Sequence, residues 1–250
     1  MINKIRRIVG LGKTISKDPY FSNGKLKSKA ELGKTPSRTT IINQLMNYTS
    51  KETYLEIGVR NPNSNFNKVE CKNKYSVDPG IEFKTNPVDF KVTSDDFFAA
   101  LDANQLDAID NSIRFDIIFI DGLHTSYQTE KDIENSLRYI KNNGFIVLHD
   151  CNPPTEYHQR ENYSFKNSPA GIFWNGTTWK AFYKFRHKEE LYSICFDSDW
   201  GVGVISKSKR PLFNNIITDI ANPYFEFEVL ANNRTEHLNL VKFDSWQLEV

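Results

Sequence analysis

The stretch Phe115-Asp116-Ile117-Ile118-Phe119-Ile120-Asp121 constrains the fold more than any other part of the chain. Its four central residues are apolar, so a strand built from them is apolar on both faces. A strand of that kind needs cover on both sides, which points to the centre of a parallel sheet packed between helix layers. The chain after it agrees. Thr129 to Lys141 places Ile133, Leu137 and Ile140 on one helical stripe and stops at Asn142-Asn143-Gly144. Phe145 to Leu148 then reads as the next strand, closing at His149-Asp150. Strand, helix, strand in that order implies a right-handed crossover.

The same reading extends in both directions. Arg38 to Tyr48 repeats Ile41, Ile42, Leu45 and Met46 at helical spacing after Pro36-Ser37. Tyr54 to Val59 and Tyr75 to Asp78 read as short buried strands, the second stopped by Pro79-Gly80. Ser94 to Ala108 is predicted as a helix with Ser94 as its cap and Asp95 and Asp96 in its first turn. A polar loop runs from Cys151 to about Ala170, followed by a helix over Thr177 to Lys188 and a strand over Gly201 to Ile205. The tail from Pro211 to Val250 mixes a short helix with extended pieces. The predicted fold is a doubly wound, mostly parallel α/β sheet in three layers, Rossmann-like, carried by a single domain over 38–250 with 1–37 as a basic extension.

The 250 residues carry a formal net charge of +1, which gives no general pull toward nucleic acid. That total hides an asymmetry. Residues 1–40 hold ten Lys or Arg against two acids, Asp18 and Glu31. Such a segment is either a solvated tail or an arm for an acidic partner, a lipid headgroup or a phosphorylated substrate. No apolar run reaches the roughly 18 residues that span a bilayer, and no secretory leader is visible. Cys71, Cys151 and Cys195 are widely spaced and odd in number, which fits free thiols and a cytoplasmic setting rather than a disulfide scaffold. Homo-oligomerisation is left open.

In doubly wound sheets ligands bind beyond the carboxyl ends of the strands. The residues found there are Glu56 to Gly58, Asp78, Asp121 to His124, and His149 with Asp150. Four acids and two histidines converge on one edge. Glu56-x-Gly58 followed by Asp78 suits an adenosine cofactor, with Gly58 letting the ligand approach the backbone and Asp78 accepting the ribose hydroxyls. Val59 to Asn65 contains no G-x-G-x-x-G, so no pyrophosphate cradle is present and S-adenosylmethionine fits better than a dinucleotide.

The strings YLEIGVR, YSVDPG, TSDDFF, FDIIFIDGLHTSYQTEKDIENSL and GFIVLHDCNP resemble a family of class I methyltransferases dependent on S-adenosylmethionine. These are the small sugar O-methyltransferases (methyltransferase domain 24-like) of glycan and antibiotic biosynthesis. WNGTTWKAFYKFR and DSDWGVGVI are similar to that family's later phrases, so the resemblance covers roughly residues 50–206. It implies Glu56 and Gly58 beside the amino-acid part of the cofactor, Asp78 on its ribose, and Ser94 and Asp95 near the adenine. Asp121 would end the fourth strand beside the methyl group, and His124 would be the general base for a sugar hydroxyl. Some relatives bind Mg²⁺ through an acid at the position of Asp121 and two residues after the next strand, here His149-Asp150 or Asp150-Cys151. Mg²⁺ prefers oxygen ligands, so Asp121 and Asp150 are the expected pair, with His149 beside them. Without a metal, Asp150 and His149 would hold the acceptor or orient His124.

The family phrase usually has an acid after its glycine where this chain has Thr177. Phe173 through Trp179 reads either as a sugar-stacking wall or as ordinary helix packing. His158, His187 and His237 read as surface or loop residues, and Lys188 to Glu190 as a solvated face. Two rival functions stand beside the methyltransferase. One is a non-catalytic module that binds a glycan or a partner. The other is a metal-dependent hydrolase- or hydroxylase-like enzyme using Asp121, His124, His149 and Asp150.

Overall fold

The computed structural model describes residues 1–82, 85 and 87–247. The chain opens with two helices, α1 (Ile2–Lys17) and α2 (Pro19–Leu32), followed by α3 (Arg38–Met46). Then come β1 (Thr53–Ile57), β2 (Asn73–Val77), α4 (Ser94–Asp102), β3 (Phe115–Ile120), α5 (Ser126–Tyr139) and β4 (Ile140–Leu148). The remainder is α6 (Thr178–Phe185), β5 (Tyr192–Phe196), β6 (Val202–Ser206), α7 (Phe227–Asn232), α8 (Arg234–Leu238), β7 (Leu240–Val241) and α9 (Phe243–Gln247).

One seven-stranded sheet takes the order β2-β1-β3-β4-β6-β5-β7. β1 pairs in parallel with β2 and β3, and β3 in parallel with β4. β6 enters antiparallel to both β4 and β5. Every residue of β3 is buried, as its two apolar faces require. Ile118 and Ile120 face a core made with α4, α5 and α6, through Phe97, Phe98, Ile133 and Phe182. Ile117 and Phe119 face the other layer, where Ile41, Ile42, Leu45 and Met46 of α3 meet Phe243 and Trp246 of α9. The sheet is therefore doubly covered, as the sequence predicts.

Several boundaries move, each for a local reason. Thr93, not Ser94, caps α4, its hydroxyl accepting the N–H of Asp96 at 3.1 Å. That helix stops at Asp102 rather than Ala108, because Asn104 turns to φ +53 and its side chain accepts the N–H of Asn111. α5 begins at Ser126, earlier than its apolar stripe suggests, and Ile140 and Lys141 already belong to β4. Asp121 follows the third strand, not the fourth. Between Asp78 and Ser94 the described chain forms only an isolated bridge, Val77 with Phe90. β5 escapes the sequence reading, although four of its five residues are buried.

The first 37 residues contain two helices. α2 packs on the body: a Cβ at Gly24 would lie 2.4 Å from the Pro169 carbonyl oxygen, and Lys34 bridges Glu31 and Asp197 at 2.6 Å each. α1 buries nothing. His158, read as a surface or loop residue, lies in the loop after β4 but is fully buried, which corrects the surface half of that expectation. Its Nε2 lies 3.0 Å from the Ser28 hydroxyl and its Nδ1 2.8 Å from the Thr155 hydroxyl, which ties α2 to the loop after β4. Among the other two, His187 lies 2.9 Å from the Tyr183 carbonyl and the His237 ring leans on Tyr183. Lys188 to Glu190 are exposed, as expected.

Burial pushes the His158 pKa down to about 4. The folded state thus holds its ring neutral at pH values where the unfolded chain, near 6.5, takes up a proton. This stability is fully present above pH 6.5 and is lost as pH falls from 6.5 toward 4, with a ceiling of about 3 kcal/mol. Urea unfolding at pH 7 and pH 5 is expected to show wild type losing more stability than His158→Asn over that interval. Equal losses would mean that His158 is not the group responsible.

Candidate active site

The site lies where β1, β3 and β4 end together. Three carboxyl groups, on Asp121, Asp150 and Asp199, meet three cationic groups, on Arg38, His124 and His149. His124 Nε2 is 3.3 Å from Asp121 Oδ1, and its Nδ1 is 3.2 Å from Asp150 Oδ2. His149 Nδ1 is 3.1 Å from both Asp121 Oδ1 and Asp150 Oδ2. Its Nε2 lies 3.3 Å from Asp199 Oδ1. Arg38 approaches from the start of α3, with Nε 3.7 Å from Asp121 Oδ2 and Nη1 3.2 Å from His149 Nε2.

Local backbone explains the convergence. Gly58 sits at φ +93, and a Cβ there would come within 2.3 Å of the Asp121 carbonyl oxygen. What needs the missing side chain at Gly58 is the close approach of the β1 and β3 ends, a structural reason beside the one expected from the sequence. Asp150 turns at φ +61, a left-handed conformation that Asp tolerates better than most side chains. Asp199 at φ +43 and Trp200 at φ +64 form a tight loop ahead of β6. The Asp199 carboxylate then accepts the Arg38 backbone N–H at 2.7 Å.

The segment after the long loop clamps His124. Trp174 stacks on its ring with centroids 4.8 Å apart. Asn175 donates to Asp150 Oδ1 at 2.9 Å. Gly176 is at φ +60, and a Cβ there would meet the His124 carbonyl oxygen at 1.9 Å. Thr177 donates its N–H to that carbonyl at 2.7 Å and accepts the Ser126 N–H at 2.7 Å, which caps α5. Trp179 is fully buried, so that end of the expected aromatic wall is core.

Charge follows this geometry. Burial opposes ionisation of Asp121, but the His149 charge and hydrogen bonds from both imidazoles hold its pKa well below the usual carboxylate range. Burial also opposes charge on His124, yet Asp150 and then Asp121 raise its pKa above the ordinary value. His149 is raised further, against the same burial, by Asp150 and Asp121. Burial works against Asp199 too, but His149 and Arg38 bring its pKa down to about 2.

Glu56 sits in the adjoining layer, its Oε2 accepting from Tyr54 Oη at 2.6 Å and Asn65 Nδ2 at 2.8 Å. Burial lifts its pKa to about 7. Asp78 follows β2 and accepts the Gly80 N–H at 2.6 Å. Ser94 and Asp95 are tied to α5, through Gln128 to both and Lys131 to Asp95. A cavity of about 290 Å³ opens beside the cluster, lined by residues 37–40, Ser64, Lys68 and Asp199. Two buried polar atoms in this region, Arg38 Nε and Asn175 Oδ1, make no hydrogen bond within the protein.

Donor atoms of Asp121, His124 and Asp150 lie within 4.8 Å of one another, so the two carboxylates are close enough to share one divalent cation beside the imidazole. His149 braces both carboxylates from the side. Cys151 is fully buried in the core and supplies no ligand, so Asp150-Cys151 is not the pair. Arg38, Asp199, Asn65 and Tyr54 are the residues that sequence reasoning missed. The start signal at Pro36-Ser37 marked a helix without revealing that its first turn faces the strand ends.

A family model described as a methyltransferase domain matches residues 55–151. The matched stretch runs from β1 to the end of β4, so it covers the parallel part of the sheet and the strand ends that carry the cluster. No curated protein sequence matches it. Among solved structures it is similar to an O-methyltransferase from Bacillus cereus in complex with S-adenosylhomocysteine. That pair has 13% identity and a TM-score of 0.45, over 76% of this chain and 91% of the other. A putative O-methyltransferase from Klebsiella pneumoniae has 14% identity and a TM-score of 0.40, over 76% and 90%. The methyltransferase of the mycinamycin biosynthetic pathway, in complex with Mg, S-adenosylhomocysteine and mycinamycin VI, has 11% identity and a TM-score of 0.41, over 74% and 51%. None of the described helices is long and apolar enough to cross a membrane.

Proposed function

We propose that the chain is a methyltransferase that takes a methyl group from S-adenosylmethionine and passes it to a hydroxyl oxygen of a sugar or glycan-type acceptor, with His124 taking the hydroxyl proton. The observation that carries this reading is the placement of one imidazole between two carboxylates and under an indole. A hydroxyl becomes a competent nucleophile only as it loses its proton, and a positioned histidine is suited to receive it. Alignment of oxygen, methyl carbon and sulfur supplies much of the remaining acceleration.

His124 must itself be neutral to act. Its charge is held by Asp150 and Asp121, so positive charge arriving beside those carboxylates lowers its pKa and frees the ring. The sulfonium of the methyl donor carries such a charge. A divalent cation held by Asp121 and Asp150 would supply another, and would polarise a sugar diol bound to it. Glu56, Asp78, Ser94 and Asp95 are assigned to the cofactor side, and Trp174 with Tyr163, 5.4 Å apart, to the acceptor side. Aromatic faces of this kind suit the apolar face of a pyranose.

The test is transfer of label from methyl-labelled S-adenosylmethionine to a panel of nucleotide sugars and free saccharides. Label is expected in an ether that survives alkali. Label released by alkali as from a methyl ester, or found on nitrogen, would overturn the hydroxyl assignment. Chelation with EDTA is expected to suppress turnover and Mg²⁺ to restore it, while full turnover in EDTA would remove the cation from the site.

A further inference from the structure

We propose that α1 lies in the interface of an anionic lipid membrane and holds the enzyme against that surface. α1 runs unbroken from Ile2 to Lys17, and none of its residues is buried. Six apolar side chains stand in solvent: Ile2, Ile5, Ile8, Val9, Leu11 and Ile15, each 45–68% exposed. Ile2, Ile5, Ile8, Val9 and Ile15 recur at steps of three, four and seven, so they share one face. Arg6, Lys13 and Lys17 form a basic stripe along one edge of that face, Lys4 stands at its other edge and Arg7 on the opposite side. The helix contains no acid. Its 16 residues span about 24 Å, too short and too charged to cross a bilayer and suited to lie along one.

Charge complementarity selects the occupant. Residues 2–29 hold eight Lys or Arg and one acid, Asp18. Its carboxylate is already committed to the Tyr20 N–H at the start of α2, at 2.8 Å. Lys25, Lys27 and Lys29 on α2 are exposed as well. Pairing α1 with the same helix of a second copy would cover the apolar face but bring like charges together with no acid to balance them. Anionic headgroups neutralise those cations while the acyl region takes the isoleucines. Each cation near such a surface contributes about fivefold to binding. Because α2 is fastened to the body through Ser28, Gly24 and Lys34, a bound α1 also fixes the position of the enzyme.

The experiment is co-sedimentation of the full chain with vesicles of phosphatidylcholine alone and with 30% phosphatidylglycerol, compared with Ile5→Glu/Val9→Glu. Affinity is expected to be at least about tenfold higher for the anionic vesicles, to fall as salt rises, and to drop at least about tenfold in the double variant. Binding of S-adenosylhomocysteine and the melting temperature are expected to be unchanged in that variant, since neither side chain is buried. Absence of vesicle binding would overturn the proposal, as would binding that survives the double substitution, because the apolar face would then not insert. A concentration-dependent dimer that excludes vesicles and dissociates in the variant would assign the face to a second copy instead.

Discussion

Replacement of His124 by alanine is expected to lower methyl transfer about 10²- to 10⁴-fold while S-adenosylhomocysteine still binds. The ring is the one group in the cluster that touches both Asp121 and Asp150 and also stacks on the proposed acceptor wall. Alanine removes the proton acceptor but leaves Glu56 and Asp78 in place. The fold should survive, because the His124 backbone is held separately by Thr177. The measurement is kcat with labelled donor, paired with calorimetric titration of S-adenosylhomocysteine into the same protein. Full activity in the variant would remove His124 from the chemistry. Loss of activity together with loss of cofactor binding would reassign it to shaping the cofactor pocket.

Asp116→Ala is expected to give the largest loss of stability, on the order of 3–5 kcal/mol. Asp116 is fully buried at the opposite end of β3 from the site. Its carboxylate accepts from the Glu52 and Thr53 N–H groups at 2.9 Å, from the Ser50 hydroxyl at 2.8 Å and from Lys141 Nζ at 3.1 Å. Truncation removes the acceptor of the two backbone N–H groups and of the Ser50 hydroxyl, and leaves the part-buried Lys141 only Ser50 and the exposed Glu52. Burial alone would raise the pKa of Asp116, but the Ser50 hydroxyl, the backbone donors and Lys141 bring it below the ordinary value. A depressed acid contributes stability above its unfolded pKa, near 3.9, and loses it as pH falls below that. The difference between wild type and variant in urea unfolding should therefore be full at pH 7 and shrink below about pH 4. A loss under 1 kcal/mol at pH 7 would mean that water replaces the carboxylate without penalty.

The order of elements from α3 to β4 was legible because each depends on local repeats. β3 could be recognised from four apolar residues in a row, and α5 from one apolar stripe closed by Asn-Asn-Gly. Strand-end carboxylates could be listed for the same reason, since the parallel sheet places every carboxyl end on one edge. His158 was misread because a lone polar residue in a loop carries no periodic signal. Its burial comes from Ser28, 130 positions away. Arg38 and Asp199 were missed for a similar reason, being 161 residues apart and joined only when α3 and the turn before β6 meet over the strand ends.

Sequence alone determined the doubly covered sheet, the strand-end acids and the basic opening segment, because burial periodicity and charge are written residue by residue. Tertiary structure decided the rest. It set His124 between two carboxylates, brought Arg38 and Asn175 to the same cluster, took Cys151 and Trp179 into the core, and left the apolar face of α1 exposed. Those outcomes depend on distances between segments far apart in the chain, and no local pattern encodes such distances.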